Sequence, residues 1–232
     1  KAVSKYFDRI TRPEQILSSL PQALQRMLDQ ADCGPAVISI SQDVQGEAFD
    51  YPEVFFQEQV HEIRRIYPDQ KQIEKASELI KNSKQPIIIS GGGVLYSEAE
   101  KELYEFARKH NIPATSTVMG IGCMDKDDLY NMGPIGCLGV GSANSLSKDT
   151  DLALAIGTKL GDFTTGSWTN FDNPDFKLVS INAARFDVTK HRATPVVSDA
   201  KIGLSELSKV LGDWKAPDYW YQQAVKETKE WD

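Results

Sequence analysis

The sequence predicts an α/β fold, an open and mainly parallel sheet flanked by helices. Three observations predict it. Short aliphatic or β-branched runs alternate with longer stretches of helical period. Most of the runs are unbroken apolar segments with no polar alternation, the pattern of strands covered on both faces. The stretches between them are long enough for one crossover helix each, and such crossovers join parallel neighbours with a right-handed sense.

The elements follow in order. Residues 13–31, PEQILSSLPQALQRMLDQA, read as one or two helices that feed the strand AVISIS at 36–41. EAFDYPEVFFQEQVHEIRRIYPD holds aromatics and two prolines, with a short helix-like stretch at 57–66, and reads as an interdomain passage. A helix over 69–82 places Ile73, Ala76, Leu79 and Ile80 three and four residues apart. PIIIS at 86–90 is the next strand and runs into three glycines. The helix over 97–110 opens on Ser97 with Glu100 at capping-box spacing and turns Leu103, Phe106 and Ala107 inward. Further strands are PATSTV (113–118), LALAI (152–156), KLVSI (177–181) and PVVS (195–198). A helix over 199–211 carries Ile202, Leu204, Leu207, Val210 and Leu211 and stops at Gly212. The result is a Rossmann-like core over 68–212, an N-terminal helix-strand extension, and a charged helical tail over 213–232 that reads as a linker.

With 41% hydrophobic and 25% charged residues over 232 positions, the chain can bury a proper core. Its net charge of −7 comes with Lys and Arg scattered among Asp and Glu, which argues against nucleic acid as a partner. No run approaches the ~20 apolar residues of a membrane span, and KAVSKYFDRI has no signal-peptide character, so a cytoplasmic protein without a membrane partner is expected. Cys33, Cys123 and Cys137 show no CxxC spacing, and His61, His110 and His191 no ligand spacing. No metal site and no catalytic residue is assigned.

The stretch PIIISGGGVLYSEAEKEL has the order of a phosphate-binding turn, strand then glycines then helix. The GxGxxG pattern is not met, since Tyr96 stands where the third glycine belongs, and no Walker lysine follows. Two readings stay open. The glycines permit a tight turn and close helix packing, or they place an anion against a helix N-terminus. If a nucleotide such as FAD or ADP bound there, Gly91, Gly92, Gly93, Gly157, Thr158, Lys159 and Asn182 would be nearest to it. GIGCM and GPIGCLGVGS are spaced as loop punctuation. Trp168, Phe171 and Phe176 read as core or interface, and Glu47, Asp50 and Tyr51 as a solvated connection.

In order along the chain, these segments resemble the thiamine-diphosphate (ThDP) enzymes of the acetolactate synthase type. GPAVISISQDVQGEAFDYP is similar to the end of that family's pyrimidine-binding domain, and PIIISGGGV to the first strand and turn of its central domain, a DHS-like NAD/FAD-binding fold. The block from His110 to Trp168, then LVSINAARFDVTKH and PVVSDAKIGLSEL, is similar to the remainder of that domain. The resemblance implies a division at 1–50 (end of the pyrimidine domain), 51–67 (connection), 68–212 (central domain) and 213–232 (linker toward a diphosphate-binding domain). It implies ThDP and Mg²⁺ as cofactors of a longer protein, that protein's other two domains as partners, and a homo-oligomer. The family's Gly-Asp-Gly motif is absent from this sequence, and its pyrimidine-binding glutamate would lie upstream of Lys1. The cofactor sites are therefore expected outside this chain, which alone is expected to be inactive.

The run Gln42 to Glu47 and the pair Tyr51-Pro52 are most similar to the branch of myo-inositol catabolism that hydrolyses a C–C bond of a cyclic 1,2-diketone to give 5-deoxyglucuronate. The alternatives are a free-standing module for FAD, ADP or NAD, and a truncated acetolactate synthase or 2-keto-acid decarboxylase. The 36–41 strand, apart from its domain, is expected to pack on the central sheet or pair with another chain.

Overall fold

The computed structural model describes residues 1–231, which divide into two compact units, Lys1–Arg65 and the chain from Ile66 onward. In the first unit β1 (Tyr6–Ile10) leads through α1 (Ile16–Met27) to β2 (Ala36–Ile40). The two strands pair in parallel, Tyr6 opposite Ala36 and Ile10 opposite Ile40. The expectation for the 36–41 strand is thus corrected: its pairing partner is β1, in the same unit. Charged Asp8 and Arg9 disguise β1 in the sequence, although Asp8 is held by the Ser19 hydroxyl of α1. A four-residue turn of helix, α2 (Gln42–Gln45), follows β2. The stretch 57–66 is not helical; the helical turn lies earlier, a 3₁₀ segment at Glu53–Phe56. There Tyr51 packs on Phe49 and Phe55, and its hydroxyl donates to Pro13 O at 3.4 Å.

The second unit is built on six strands and eight helices, in the order α3 (Gln70–Asn82), β3 (Pro86–Ser90), α4 (Gly92–Tyr96), α5 (Glu100–His110), β4 (Ala114–Ser116), β5 (Asn131–Pro134), α6 (Gly141–Asp149), β6 (Leu152–Ile156), α7 (Asp162–Thr165), β7 (Lys177–Asn182), α8 (Arg185–Val188), β8 (Thr194–Val197), α9 (Ala200–Leu211) and α10 (Asp218–Trp231). All strand pairs are parallel, in the spatial order β5-β4-β3-β6-β7-β8. The chain winds outward from β3, returns to the middle and winds outward again from β6. The reversal between β3 and β6 is the point where open α/β sheets form a crevice at their carboxyl edge.

Alternate residues of the unbroken apolar strands serve two layers. Ile88, Leu154, Val179 and Ile181 face Ile73, Ile80, Leu103, Phe106 and Leu204 in one core. Ile87, Ile89, Ala153 and Ala155 join Leu146 and Trp220 in the other. The edge strand β5, Asn-Met-Gly-Pro, is poor in strand formers and invisible to propensity, and an edge tolerates its proline.

The Ser97 and Glu100 capping box does not form. Ser97 instead ends α4, its N–H donating to Gly93 O at 3.1 Å, and Glu98 turns the chain at φ 51° before α5 starts at Glu100. The helical character expected of the tail is seen as α10 (Asp218–Trp231). Asn111, left-handed at φ 56°, donates from Nδ2 to Ala216 O (3.2 Å) and to the Asp218 carboxylate (2.9 Å), which seats the start of α10. Trp220 and Ala224, one turn apart, are then fully buried, and the Trp220 indole N–H donates to Pro86 O at 2.8 Å.

Candidate functional site

The three glycines after β3 sit at the carboxyl edge, directly over the reversal between β3 and β6. The Gly91 N–H donates to Ile156 O (2.8 Å), the Gly93 N–H to Gly157 O (2.9 Å), and the Gly157 N–H to Ile181 O (2.9 Å). A Cβ on Gly91 would stand 2.5 Å from Gly157 O, and one on Gly93 2.6 Å from Gly157 Cα. Gly157 itself has φ +60°, and a Cβ there would meet Gly93 Cα at 2.7 Å. The glycines therefore let two loop backbones touch, and the amides an anion would use on Gly91 and Gly93 are bonded to the β6 exit. The helix that follows, α4, is only five residues long.

The neighbouring side chains close the same joint. Asn182 Nδ2 donates to Thr158 O (3.1 Å), and its Oδ1 accepts from the Ala184 N–H (2.9 Å). Thr158 Oγ1 accepts from the Leu160 N–H at 3.1 Å. Gly92 lies against Met119, while Lys159 is exposed beside the joint. Gly91, Gly93, Gly157, Thr158 and Asn182 are thus brought together as packing and hydrogen-bonding partners.

Two further loops reinforce this edge. The Thr117 N–H donates to Ser90 O (2.8 Å), and a Cβ on Gly120 would fall 2.2 Å from that same oxygen. Beyond β5, Asn144 Oδ1 accepts from the Gly136 N–H (2.8 Å) and its Nδ2 donates to Gly136 O (3.0 Å). Asn170 Nδ2 adds a bond to the same Oδ1 at 3.2 Å. Sequence reasoning passed over Asn144. Its signal was an asparagine inside a helical segment, where that residue is disfavoured unless its amide has a task. Trp168, Phe171 and Phe176 pack on the second core, with Trp168 also 4.5 Å from the His191 ring. Glu47, Asp50 and Tyr51 belong to the first unit.

Cys123 donates to Gly91 O at 3.5 Å, and burial pushes its thiol up to about 11, so it stays protonated near neutral pH. Among the described residues no three His, Cys, Asp or Glu side chains converge to hold a metal ion, and no helix is long and apolar enough to cross a membrane. A Mg²⁺-bound diphosphate needs carboxylate or amide ligands beside a backbone cradle. The residues present do not fit that group.

Comparison with known proteins gives consistent results. The thiamine pyrophosphate enzyme central domain matches residues 73–207. The chain is 43% identical over 233 residues to the 3D-(3,5/4)-trihydroxycyclohexane-1,2-dione hydrolase of Clostridium tetani, covering 100% of this chain and 36% of that protein. It is 43% identical to the Bacillus subtilis protein of the same name, with the same coverage. With the Listeria monocytogenes protein, again of that name, it shares 46% over 211 residues, 91% of this chain and 33% of the relative. The chain spans about a third of the length of these curated relatives.

Proposed function

Because the chain belongs to the family of thiamine pyrophosphate enzyme central domains, we propose that it is the central segment of a longer hydrolase that opens the ring of 3D-(3,5/4)-trihydroxycyclohexane-1,2-dione. The observation that carries this reading is the identity of 43% sustained across the whole chain with hydrolases of that name. In this reading the enzyme is a cytoplasmic homo-oligomer of myo-inositol catabolism. ThDP supplies the carbanion-stabilising chemistry of C–C cleavage when bound, and Mg²⁺ anchors its diphosphate. Both are held by parts of the protein outside this chain, because neither the sequence nor the described side chains provide the ligands. This chain's own part is to hold the domains that bind the cofactor in register, a task suited to a sheet whose carboxyl-edge loops are tied backbone to backbone.

The test is an assay of ring opening on the intact protein with ThDP and Mg²⁺, beside the 232-residue segment alone. Turnover by the intact protein and none by the segment supports the reading. Turnover by the segment, or a native subunit no larger than 25.8 kDa, would sink it.

A further inference from the structure

The amino edge of the central sheet, opposite the glycine joint, carries a cavity of about 350 Å³. It opens where three adjacent strands begin, with Pro86 of β3, Leu152 of β6 and Lys177 of β7 in register. Asn82, Lys84, Asn173, Asp175, Lys177 and Tyr219 line it.

Hydrogen bonds hold its walls. The Asp151 carboxylate accepts from the Ser83 hydroxyl, from the Lys84 N–H (2.8 Å) and from the Gln85 N–H (3.1 Å). The Lys177 N–H donates to Asp151 O (2.9 Å), and the Tyr219 hydroxyl donates to Lys84 O (3.3 Å), so β7 and α10 are tied to the same loop. Asn173 Nδ2 donates to Asp149 O (3.0 Å), and its Oδ1 accepts from the Asp175 N–H (2.9 Å). The Asp151 charge is thus engaged within the wall. Lys84 and Lys177 are exposed, and among the described residues neither forms an ion pair. Two ammonium groups and the carboxylate of Asp175 remain to meet an occupant.

The lining selects that occupant by its chemistry. Small-molecule sites of ~300–1,000 Å³ are mostly apolar, whereas amide, ammonium and carboxylate groups dominate this cavity. A hydrocarbon would leave them unpaired, and a ligand with several hydroxyls can bond them. The excess of ammonium groups calls for a carboxylate on the same ligand. Ring opening by hydrolysis makes such a molecule. Cleaving the C–C bond between the carbonyls of a cyclic 1,2-diketone puts the hydroxyl of water on one carbonyl carbon and its hydrogen on the other. One end of the opened chain is a carboxylic acid and the other an aldehyde, so a neutral hydroxylated ring becomes a hydroxylated anion at neutral pH.

We infer that this cavity binds a small hydroxylated carboxylate, the chemical class of the ring-opening product, and separates it from the uncharged substrate through Lys84 and Lys177. The link to the product rests on the proposed ring-opening function; the ligand chemistry rests on the cavity.

Glucuronate is the probe, titrated calorimetrically into the intact protein. Saturable binding is expected, with myo-inositol and acetate each weaker by about ten-fold or more, since one lacks the charge and the other the hydroxyls. Lys84→Met and Lys177→Met should each weaken glucuronate by about ten-fold, while Lys159→Met at the carboxyl edge should leave it unchanged. An unaltered urea midpoint shows that the variants are folded. Glucuronate affinity that survives both cavity substitutions overturns the proposal. So does the absence of saturable binding at millimolar glucuronate, or acetate or myo-inositol binding as tightly as glucuronate. Ring opening with ThDP and Mg²⁺ is assayed on the same sample. No turnover refutes the proposed function and with it the link to the product, whereas turnover without lysine-dependent binding refutes only the cavity's role.

Discussion

Replacing Gly157 with alanine tests whether the glycine joint is a packing device. The backbone there is left-handed, φ +60°, which costs an alanine ~1–2 kcal/mol. The new methyl carbon would lie 2.7 Å from Gly93 C and Cα and 2.8 Å from Val94 N, all backbone atoms that no rotamer change can move. Relief requires the β3 and β6 exits to separate, an overpacking cost of ~1–3 kcal/mol. Together these predict a loss of about 2–5 kcal/mol from a total of ~5–15 kcal/mol. All four tryptophans, Trp168, Trp214, Trp220 and Trp231, lie in the second unit, so urea unfolding followed by indole fluorescence reports on that unit. With a urea slope of ~2–3 kcal/mol/M, the midpoint should fall by about 0.7–2.5 M. Gly161→Ala is the control. Nothing lies within 4 Å of its Cβ position and its φ is −67°, so it should stay within ~0.5 kcal/mol. A Gly157→Ala midpoint as high as the control's would refute the reasoning, because it would mean that the loops are free to part.

Other perturbations follow from the same geometry. Trp220→Phe removes both the indole bond to Pro86 O and part of a fully buried ring, and should cost ~2–3 kcal/mol in the same unfolding assay. Asn144→Ala breaks the paired bonds to Gly136, and faster hydrogen exchange at the Gly136 and Cys137 amides should reveal a loosened β5 exit at a cost of ~1–3 kcal/mol. His110 is buried between α5 and α9, with Nδ1 on Trp214 O (2.8 Å) and Nε2 on the Ser208 hydroxyl (3.1 Å). Burial depresses its pKa below the usual 6.5, so the folded state binds fewer protons than the unfolded one. Stability from this group is complete above pH 6.5 and declines as the pH falls below that value. A His110→Asn variant should flatten the stability profile below about pH 6.5, and an unchanged slope would exclude His110 as its source.

The sequence is most legible where one physical effect dominates. PIIIS and LALAI are apolar at every position, because helices cover both faces of β3 and β6, and no competing pattern obscures them. β1 and β5 are hidden for opposite reasons. Tyr-Phe-Asp-Arg-Ile carries two charges on a strand with half-exposed faces, and Asn-Met-Gly-Pro is extended by its neighbours in spite of its own preferences. The Ser97 to Glu100 spacing is a sound local signal overridden by tertiary structure, since the short helix α4 claims Ser97 as its end. The tail over 213–232 reads as charged because only one stripe of α10 is apolar, and the anchor at Asn111 that fixes it lies about a hundred residues earlier. For the glycine turn, the sequence draws attention to Gly91, Gly92 and Gly93 and leaves their use undecided. A close backbone approach to a ligand and a close backbone approach to another loop demand the same absence of a side chain, and only the position of Gly157 separates them.

That joint also restricts where the molecule can be redesigned. A contact made of main-chain atoms has no side chain to enlarge, shrink or charge, so its spacing cannot be graded by substitution; it is kept or broken. Attempts to graft a new ligand onto this scaffold should therefore leave the central pair of loops untouched. Variation belongs in the exits after β5 and β7, where Leu138 and, on α8, Phe186 are exposed.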